Sequence, residues 1–104
     1  MDNKKVVILG ASNNKERYSY LALKLLDKHN YEVLPVHPTL AEIEGYKVVN
    51  SIADINEKIG TLTVYVGPAR IAPMISDIVK MNPERVILNP GTESDELKKA
   101  LKDA

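Results

Sequence analysis

The sequence contains no cysteine. This absence excludes disulfide bonds, thiolate catalysis and cysteine-ligated metal sites in the chain, and it fits a reducing compartment. No apolar run approaches the roughly 18 residues that a membrane-spanning helix needs. Residues 2–5 are polar and lead directly into an apolar run, without the apolar core of a signal peptide. We therefore expect a cytoplasmic protein that has no membrane partner.

The chain also lacks an excess of charge of either sign. Its 14 Lys and Arg residues balance 14 Asp and Glu residues, which gives a formal net charge of 0. A protein that binds nucleic acid by neutralising many phosphates carries a basic excess, so we expect no nucleic-acid partner. A small anionic ligand needs only a local basic patch and stays open. The length of 104 residues suits one domain, spanning residues 1–104, with its own hydrophobic core.

Four short apolar runs predict strands. They are rich in Val, Ile and Leu and do not alternate with polar residues, which is typical of parallel strands covered on both faces. A fifth and weaker strand is predicted at Tyr46–Val49, followed by a short helical turn that Ser51 caps. The four stronger runs are Val6–Leu9, Glu32–Val36, Leu62–Val66 and Val86–Leu88.

Strands that alternate with helices predict an α/β, Rossmann-like fold, with a parallel sheet of about five strands and helices on both faces. We expect the strand order 3-2-1-4-5. A further strand would follow the last helix, so the domain could lack a C-terminal strand, and an uncovered sheet edge could pair with a second copy as a homodimer. The apolar helix faces are predicted at Leu21, Ala22, Leu25 and Leu26; at Ile71, Met74, Ile75, Ile78 and Val79; and at Leu97, Ala100 and Leu101.

The turn after the first strand lacks the dinucleotide-binding fingerprint G-x-G-x-x-G. It reads GASNNKERYS, with a serine and a lysine where that pattern has its second and third glycine. The next helix is predicted to begin near Tyr18. A pyrophosphate could still contact the N–H groups of residues 11–13 and of the helix start, with Ser12, Ser19 and Arg17 as further donors. The alternative is an ordinary strand–helix turn with Arg17 in solvent.

The end of the second strand lacks the acidic residue with which an NAD-binding fold holds the ribose 2′-hydroxyl. His37 and Pro38 follow Val36 instead. This sequence disfavours NAD, and a histidine at this position could bind a phosphorylated ribose. The alternative for His37 is a surface-loop histidine that contacts no ligand.

Five stretches follow one another in the order and spacing of the small single-domain CoA-binding proteins: GAS…RYSY, PVHP, EIEGYKVVNSIADI, YVGPAR and NPGTES. Those proteins are similar to the CoA-binding domain of the succinyl-CoA synthetase alpha subunit. The resemblance covers essentially the whole chain. It implies a Rossmann-like fold that binds coenzyme A, free or acylated, at the carboxyl ends of the strands.

Carried over position by position, the resemblance implies ligand contacts in all four turns. The first turn would hold the CoA phosphates, the loop with Pro38 would lie near the adenosine, and the last two turns would border the ligand. The synthetase domain has a lysine facing the 3′-phosphate; here His37 or Arg70 would substitute for it, or the 3′-phosphate would lie in solvent. The implied cofactor-binding residues are Gly10, Ala11, Ser12, Asn13, Arg17, Tyr18, Ser19, His37, Pro38, Gly67, Pro68, Arg70, Asn89, Pro90, Gly91 and Thr92.

No catalytic constellation accompanies these turns. The serines have no base at motif spacing, and no spacing of His, Asp and Glu indicates a metal site. His29 is expected at a helix C-terminus, where a structural role suffices, and Tyr65 is expected in the core. Three functions stay open: a CoA or acyl-CoA binding or regulatory module without its own catalysis, an NAD(P)-binding oxidoreductase-like domain, and a ligand-free protein-interaction domain.

Overall fold

A parallel β-sheet with helices on both faces forms the centre of the protein. The fold is that of a computed structural model, which describes residues 4–103. In chain order the elements are β1 (Lys5–Leu9), α1 (Tyr18–Lys28), β2 (Glu32–Val36), β3 (Glu42–Ile43), β4 (Tyr46–Lys47), a 3₁₀ turn (Ile52–Asp54), β5 (Thr61–Val64), α2 (Pro68–Ile71), a second 3₁₀ turn (Ala72–Met74), α3 (Ile75–Met81), β6 (Arg85–Leu88) and α4 (Asp95–Asp103).

The main sheet has the strand order β2-β1-β5-β6, and every neighbouring pair is parallel. In register, Val7 at the centre of β1 lies beside Leu34 of β2 and Leu62 of β5. The predicted Rossmann-like α/β fold is therefore confirmed. From β1 the chain passes to one side to form β2 and then crosses to the other side to form β5. This reversal opens a crevice at the carboxyl ends of the strands, where folds of this class bind ligands.

The predicted five-strand sheet is wrong in its third strand. The pair β3 and β4 forms a separate antiparallel hairpin, so the main sheet has four strands. The two residues between them, Glu44 and Gly45, have φ values of 51° and 84°. Positive φ at both positions is the geometry of a tight two-residue hairpin turn, and it favours local pairing over joining the sheet.

The chain after this hairpin still reaches the outer edge of β2. Val49 forms an isolated parallel bridge with Val36. The Val49 N–H donates to the Pro35 carbonyl at 2.9 Å, and the His37 N–H donates to the Val49 carbonyl at 3.1 Å. The predicted order places a third strand beside the second. The structure has a single bridge at that place, which holds the residues after β4 next to the end of β2.

Two hydrophobic clusters cover the two faces of the sheet, because successive side chains of a strand point to opposite faces. Val7 and Leu9 of β1 pack on one face against residues of α2, α3 and α4. Ile8 packs on the other face against α1 and the β3–β4 hairpin. The first cluster includes Val64, Ile71, Ile78 and Leu97, and the second includes Tyr20, Leu23, Ile43 and Val48.

Helix α1 buries a face that only partly overlaps the predicted one, since Leu26 packs against the second cluster as predicted. Tyr20 and Leu23 are buried, whereas Leu21 is 51% exposed and Leu25 is 58% exposed. Both sets have helical spacing, because this helix carries apolar residues around most of its circumference. Periodicity alone therefore cannot select between them. The orientation in which the turn after β1 delivers the helix to the sheet decides the face.

The edge strand β6 is also less buried than predicted. Val86 and Leu88 pack against the first cluster, but Ile87 on the opposite face is 40% exposed. Within residues 4–103, the helix that follows β6 is α4, and its Leu97 belongs to the cluster on the Val86 side. The run Val86–Leu88 is consequently covered on one face rather than on both.

The β3–β4 hairpin is fastened to α1 by polar contacts as well as by apolar packing. The Tyr46 hydroxyl donates a hydrogen bond to the Asp27 carboxylate, and this bond raises the pKa of Tyr46 to about 12. The Lys24 ammonium lies 3.1 Å from the Glu44 carboxylate, and hydrogen bonding to Lys24 lowers the pKa of Glu44. The hairpin therefore sits as a fixed block beside the first half of the sheet.

Serine side chains cap two of the helical segments, the first 3₁₀ turn and α4. Ser51 accepts a hydrogen bond from the Ala53 N–H at 3.2 Å, as predicted, and His29 occupies the C-terminal cap of α1. Ser94, which was not predicted as a cap, accepts a hydrogen bond from the Leu97 N–H at 3.1 Å at the start of α4.

Among residues 4–103 there is no helix with the length and apolar character needed to span a bilayer.

Candidate functional site

A cavity of about 640 Å³ opens at the carboxyl ends of β1, β2 and β5. The turns after these strands supply its walls, and residues of the α2–α3 segment and of the turn after β6 close it. Most of the predicted ligand-binding residues meet there, although they come from separate parts of the chain. Those lining the cavity are Gly10, Ala11, Ser12, Arg17, Tyr18, Ser19, His37, Pro38, Arg70, Pro90 and Thr92.

Five other predicted positions do not line the cavity: Asn13, Gly67, Pro68, Asn89 and Gly91. The Asn89 amide donates at 2.8 Å to both the Thr63 hydroxyl and the Val64 carbonyl, so it joins the ends of β5 and β6. Gly67 and Pro68 form the start of α2. The structure therefore gives these three residues architectural contacts next to the cavity rather than on its wall.

Gly10 is the position at which the first turn needs a glycine. Its φ is +91°, and a Cβ there would lie 2.8 Å from Val66 Cγ1. The backbone of the turn thus passes directly against the chain that continues β5. The Gly10 and Ala11 N–H groups both point back to the Val36 carbonyl, at 3.3 and 3.1 Å. The Ala11 N–H, which the sequence suggested for a pyrophosphate, is consequently occupied within the fold.

Side chains shape the rest of this turn where other folds use glycines. The Ser12 hydroxyl oxygen accepts from the Asn14 N–H at 3.0 Å, and the Asn14 side-chain oxygen accepts from the Glu16 N–H at 3.0 Å. The Arg17 N–H then donates to the Asn14 carbonyl at 3.0 Å. Serine and asparagine commonly stabilise successive turns in this way, which explains how the loop keeps a defined shape with one glycine.

The beginning of α1 presents several free donors to the cavity. Helix α1 starts at Tyr18 as predicted, and Arg17 makes no side-chain cap. Within residues 4–103, the N–H groups of Ser12, Tyr18 and Ser19 have no hydrogen-bond partner, and all three residues line the cavity. The Ser12 hydroxyl can also donate its hydrogen, and the Arg17 guanidinium adds a cation. Such donors at the positive end of a helix dipole are suited to an anion.

The loop after β2 supplies the neighbouring wall. The His37 Nδ1 accepts hydrogen bonds from the N–H groups of Thr39 and Leu40, both at 3.1 Å. This pattern places the imidazole proton on Nε2. The Nδ1 of His37 therefore holds the loop through two hydrogen bonds, and its Nε2–H is left as a donor. His37 is thus not a surface histidine without contacts.

Several cavity residues were not predicted from the sequence, or were predicted in another part of the fold. Tyr65 was expected in the core; it packs against the second cluster but also lines the cavity, because β5 ends one residue earlier at Val64. Asn50 and Asp77 also line it, from the segment after β4 and from α3. The signal available for Tyr65 was its position at the carboxyl end of a strand. Asn50 and Asp77 carry no such signal, because tertiary packing brings them in.

Opposite charges balance on the cavity wall. Arg17 and Arg70 contribute the cations, and Glu16 and Asp77 contribute the carboxylates. The cations are therefore local features rather than part of a broad basic surface. Among residues 4–103, no group of three or more His, Asp or Glu side chains is placed to hold a metal ion.

The family model for a CoA-binding domain matches residues 4–104. The chain belongs to this family of CoA-binding domains. The resemblance in the sequence is thereby confirmed over nearly its full length. Membership of the family supports CoA binding in general.

Solved structures agree with this assignment at the level of the fold. A Thermus thermophilus protein superposes on this CoA-binding domain with a TM-score of 0.90, at 29% identity over 97% of this chain and 77% of that chain. A dinucleotide-forming acetyl-coenzyme A synthetase from Candidatus Korarchaeum cryptofilum gives a TM-score of 0.79, covering 98% of this chain and 24% of that one. At 20% identity this second likeness shows the fold alone.

A curated relative is the YneT protein of Bacillus subtilis. It is 32% identical over 63 residues, which are 61% of this chain and 47% of that protein. The CoA-binding domain described here thus spans about half the length of the curated relative it matches.

Proposed function

We propose that this domain binds coenzyme A or an acyl-CoA in the cavity at the carboxyl ends of the strands. The ligand's pyrophosphate contacts the start of α1, and the loop with His37 and Pro38 contacts its adenosine end. The domain serves as a binding or regulatory module and has no catalysis of its own. Family membership and the position of the cavity at the strand-order reversal both support this assignment.

The proposal depends mainly on the N–H groups at the start of α1 that have no hydrogen-bond partner within residues 4–103. The first N–H groups of an α-helix have no partner within the helix and are available to a ligand. The N–H groups of Ser12, Tyr18 and Ser19 have no partner within residues 4–103, and all three residues line one cavity. Arg17 stands beside them with a guanidinium that fits phosphate oxygens. A diphosphate supplies the oxygens that these donors need.

The absence of catalysis is inferred from the hydroxyl groups of the cavity. Within residues 4–103, no cavity-lining serine, threonine or tyrosine hydroxyl is hydrogen-bonded to a histidine or carboxylate side chain. A nucleophilic hydroxyl needs such a base within reach. The Thr92 hydroxyl instead donates to the Asn89 carbonyl at 2.6 Å, which shapes the last turn.

A titration of the domain with CoA by isothermal calorimetry tests the proposal. Wild-type protein should bind CoA, and Arg17→Ala should weaken binding by about 1.5–3 kcal/mol, the size of a lost charge-assisted hydrogen bond, or about 10- to 150-fold. Lys102→Ala removes an exposed cation from the end of α4, outside the cavity wall, and should bind as wild type. Equal affinities for all three proteins would remove Arg17 from the site, and no heat with any protein would refute CoA binding.

A further inference from the structure

Asn50 is held at the cavity with a fixed orientation. Its Nδ2 donates hydrogen bonds to two backbone carbonyls, that of His37 at 2.8 Å and that of Leu40 at 3.0 Å. Both amide hydrogens are thereby used. The reverse placement of the amide would set its oxygen against two carbonyl oxygens, so the hydrogen-bond network assigns the nitrogen to this side.

The Asn50 Oδ1 is therefore an acceptor whose direction the loop determines. Within residues 4–103 it has no hydrogen-bond partner, and Asn50 lines the cavity. His37, joined to Asn50 through its carbonyl, lines the cavity as well and offers its Nε2–H as a donor. This end of the cavity thus has one acceptor and one donor, on two residues that a hydrogen bond joins.

We propose that the Asn50 Oδ1 accepts a hydrogen bond from the 6-amino group of adenine, and that His37 Nε2–H donates to N7 of the same base. The inference rests on the proposed function, because it concerns the adenosine end of bound CoA. On its N7 edge adenine presents the 6-amino donor beside the N7 acceptor, whereas a 6-oxo purine presents acceptors at both O6 and N7. Asn50 therefore makes the site selective for adenine.

The position of Asn50 agrees with this assignment. In folds of this topology the pyrophosphate lies at the first helix and the nucleoside extends towards the end of the second strand. Asn50 stands at that end, because its neighbour Val49 bridges Val36, the last residue of β2. A pyrophosphate at the start of α1 leaves the loop of His37 and Asn50 facing the nucleoside.

The test compares CoA with its analogue that carries hypoxanthine in place of adenine. Wild-type protein should bind the hypoxanthine analogue about 10- to 100-fold more weakly than CoA, the size of a base contact that is lost and replaced by two facing acceptors. Asn50→Ala should bind the two ligands with similar affinities. Asn56→Ala, a control asparagine outside this cavity, should keep the wild-type ratio.

The ratio of the two affinities separates recognition from loop support. If Asn50 only held the loop, Asn50→Ala would weaken both ligands equally and preserve the ratio, which would overturn the inference. Should Asn50→Ala fail to fold, Asn50→Ser is measured in the same way and should also lose the preference for adenine. Equal binding of both ligands by wild-type protein overturns the inference but leaves CoA binding intact. Binding of neither ligand refutes the proposed function and this inference with it.

Discussion

Gly10→Ala should lower the free energy of unfolding by about 2–5 kcal/mol. Two terms give this magnitude. At a φ of +91° an L-residue adopts left-handed backbone, which costs roughly 1–2 kcal/mol. The new Cβ would also lie 2.8 Å from Val66 Cγ1 and 3.2 Å from the Tyr65 carbonyl carbon. Val66 is buried and the carbonyl is backbone, so neither can yield freely, and such overpacking costs about 1–3 kcal/mol.

Equilibrium urea unfolding, followed by far-ultraviolet circular dichroism, measures this loss. Gly91→Ala is the matched control, because its φ is +86° but a Cβ there has no atom within 4 Å. It should therefore show the backbone term alone, about 1–2 kcal/mol. The difference between the two variants isolates the contact with Val66. Equal losses in both variants, or a loss below about 1 kcal/mol for Gly10→Ala, would show that the contact with Val66 does not make Gly10 necessary.

Three further changes test other parts of the structure. Ser94→Ala removes the hydroxyl that accepts the Leu97 N–H and should cost about 0.5–2 kcal/mol in urea unfolding; an unchanged midpoint would contradict its role as a cap. Ser12→Tyr should abolish CoA binding without changing the circular dichroism spectrum, and normal binding would place the ligand elsewhere. The hydrogen bond to Asp27 raises the pKa of Tyr46 to about 12 in the folded state. The contribution of this bond to the free energy of unfolding should therefore be complete below the ordinary tyrosine pKa near 10, and it should be lost as the pH rises towards 12. Tyr46→Phe should therefore lose less stability than wild type between these pH values, and equal losses would contradict the assignment.

The parallel core could be predicted from the sequence because its strands have few alternatives. Val6–Leu9 is apolar at every position, and a strand of that kind must be covered on both faces, as β1 is. The order of the turns along the chain then brings Gly10, His37 and Thr92 to one edge of the sheet. Most of the predicted ligand-binding positions line the cavity for this reason alone.

The parts that could not be predicted depend on tertiary contacts. Leu21 and Leu25 have the same helical spacing as the residues that α1 buries, so their exposure follows only from the docking of the helix. Asn89 looked like a cavity residue, but its amide is used between β5 and β6. In the sequence Asn50 lies between a predicted strand and a predicted helical turn, with no sign of a ligand contact. The bridge between Val36 and Val49 places it on the cavity wall.

A thermal-shift panel with CoA, acetyl-CoA, 3′-dephospho-CoA, NAD and NADP tests whether the cavity holds coenzyme A. A ligand that binds the native state raises the unfolding midpoint by mass action, with about 2.7 kcal/mol of stabilisation at a hundredfold excess over the dissociation constant. We predict a rise with CoA and acetyl-CoA and none with NAD or NADP. A smaller rise with 3′-dephospho-CoA would show that the 3′-phosphate is contacted. A rise with NAD and none with CoA would contradict the claim.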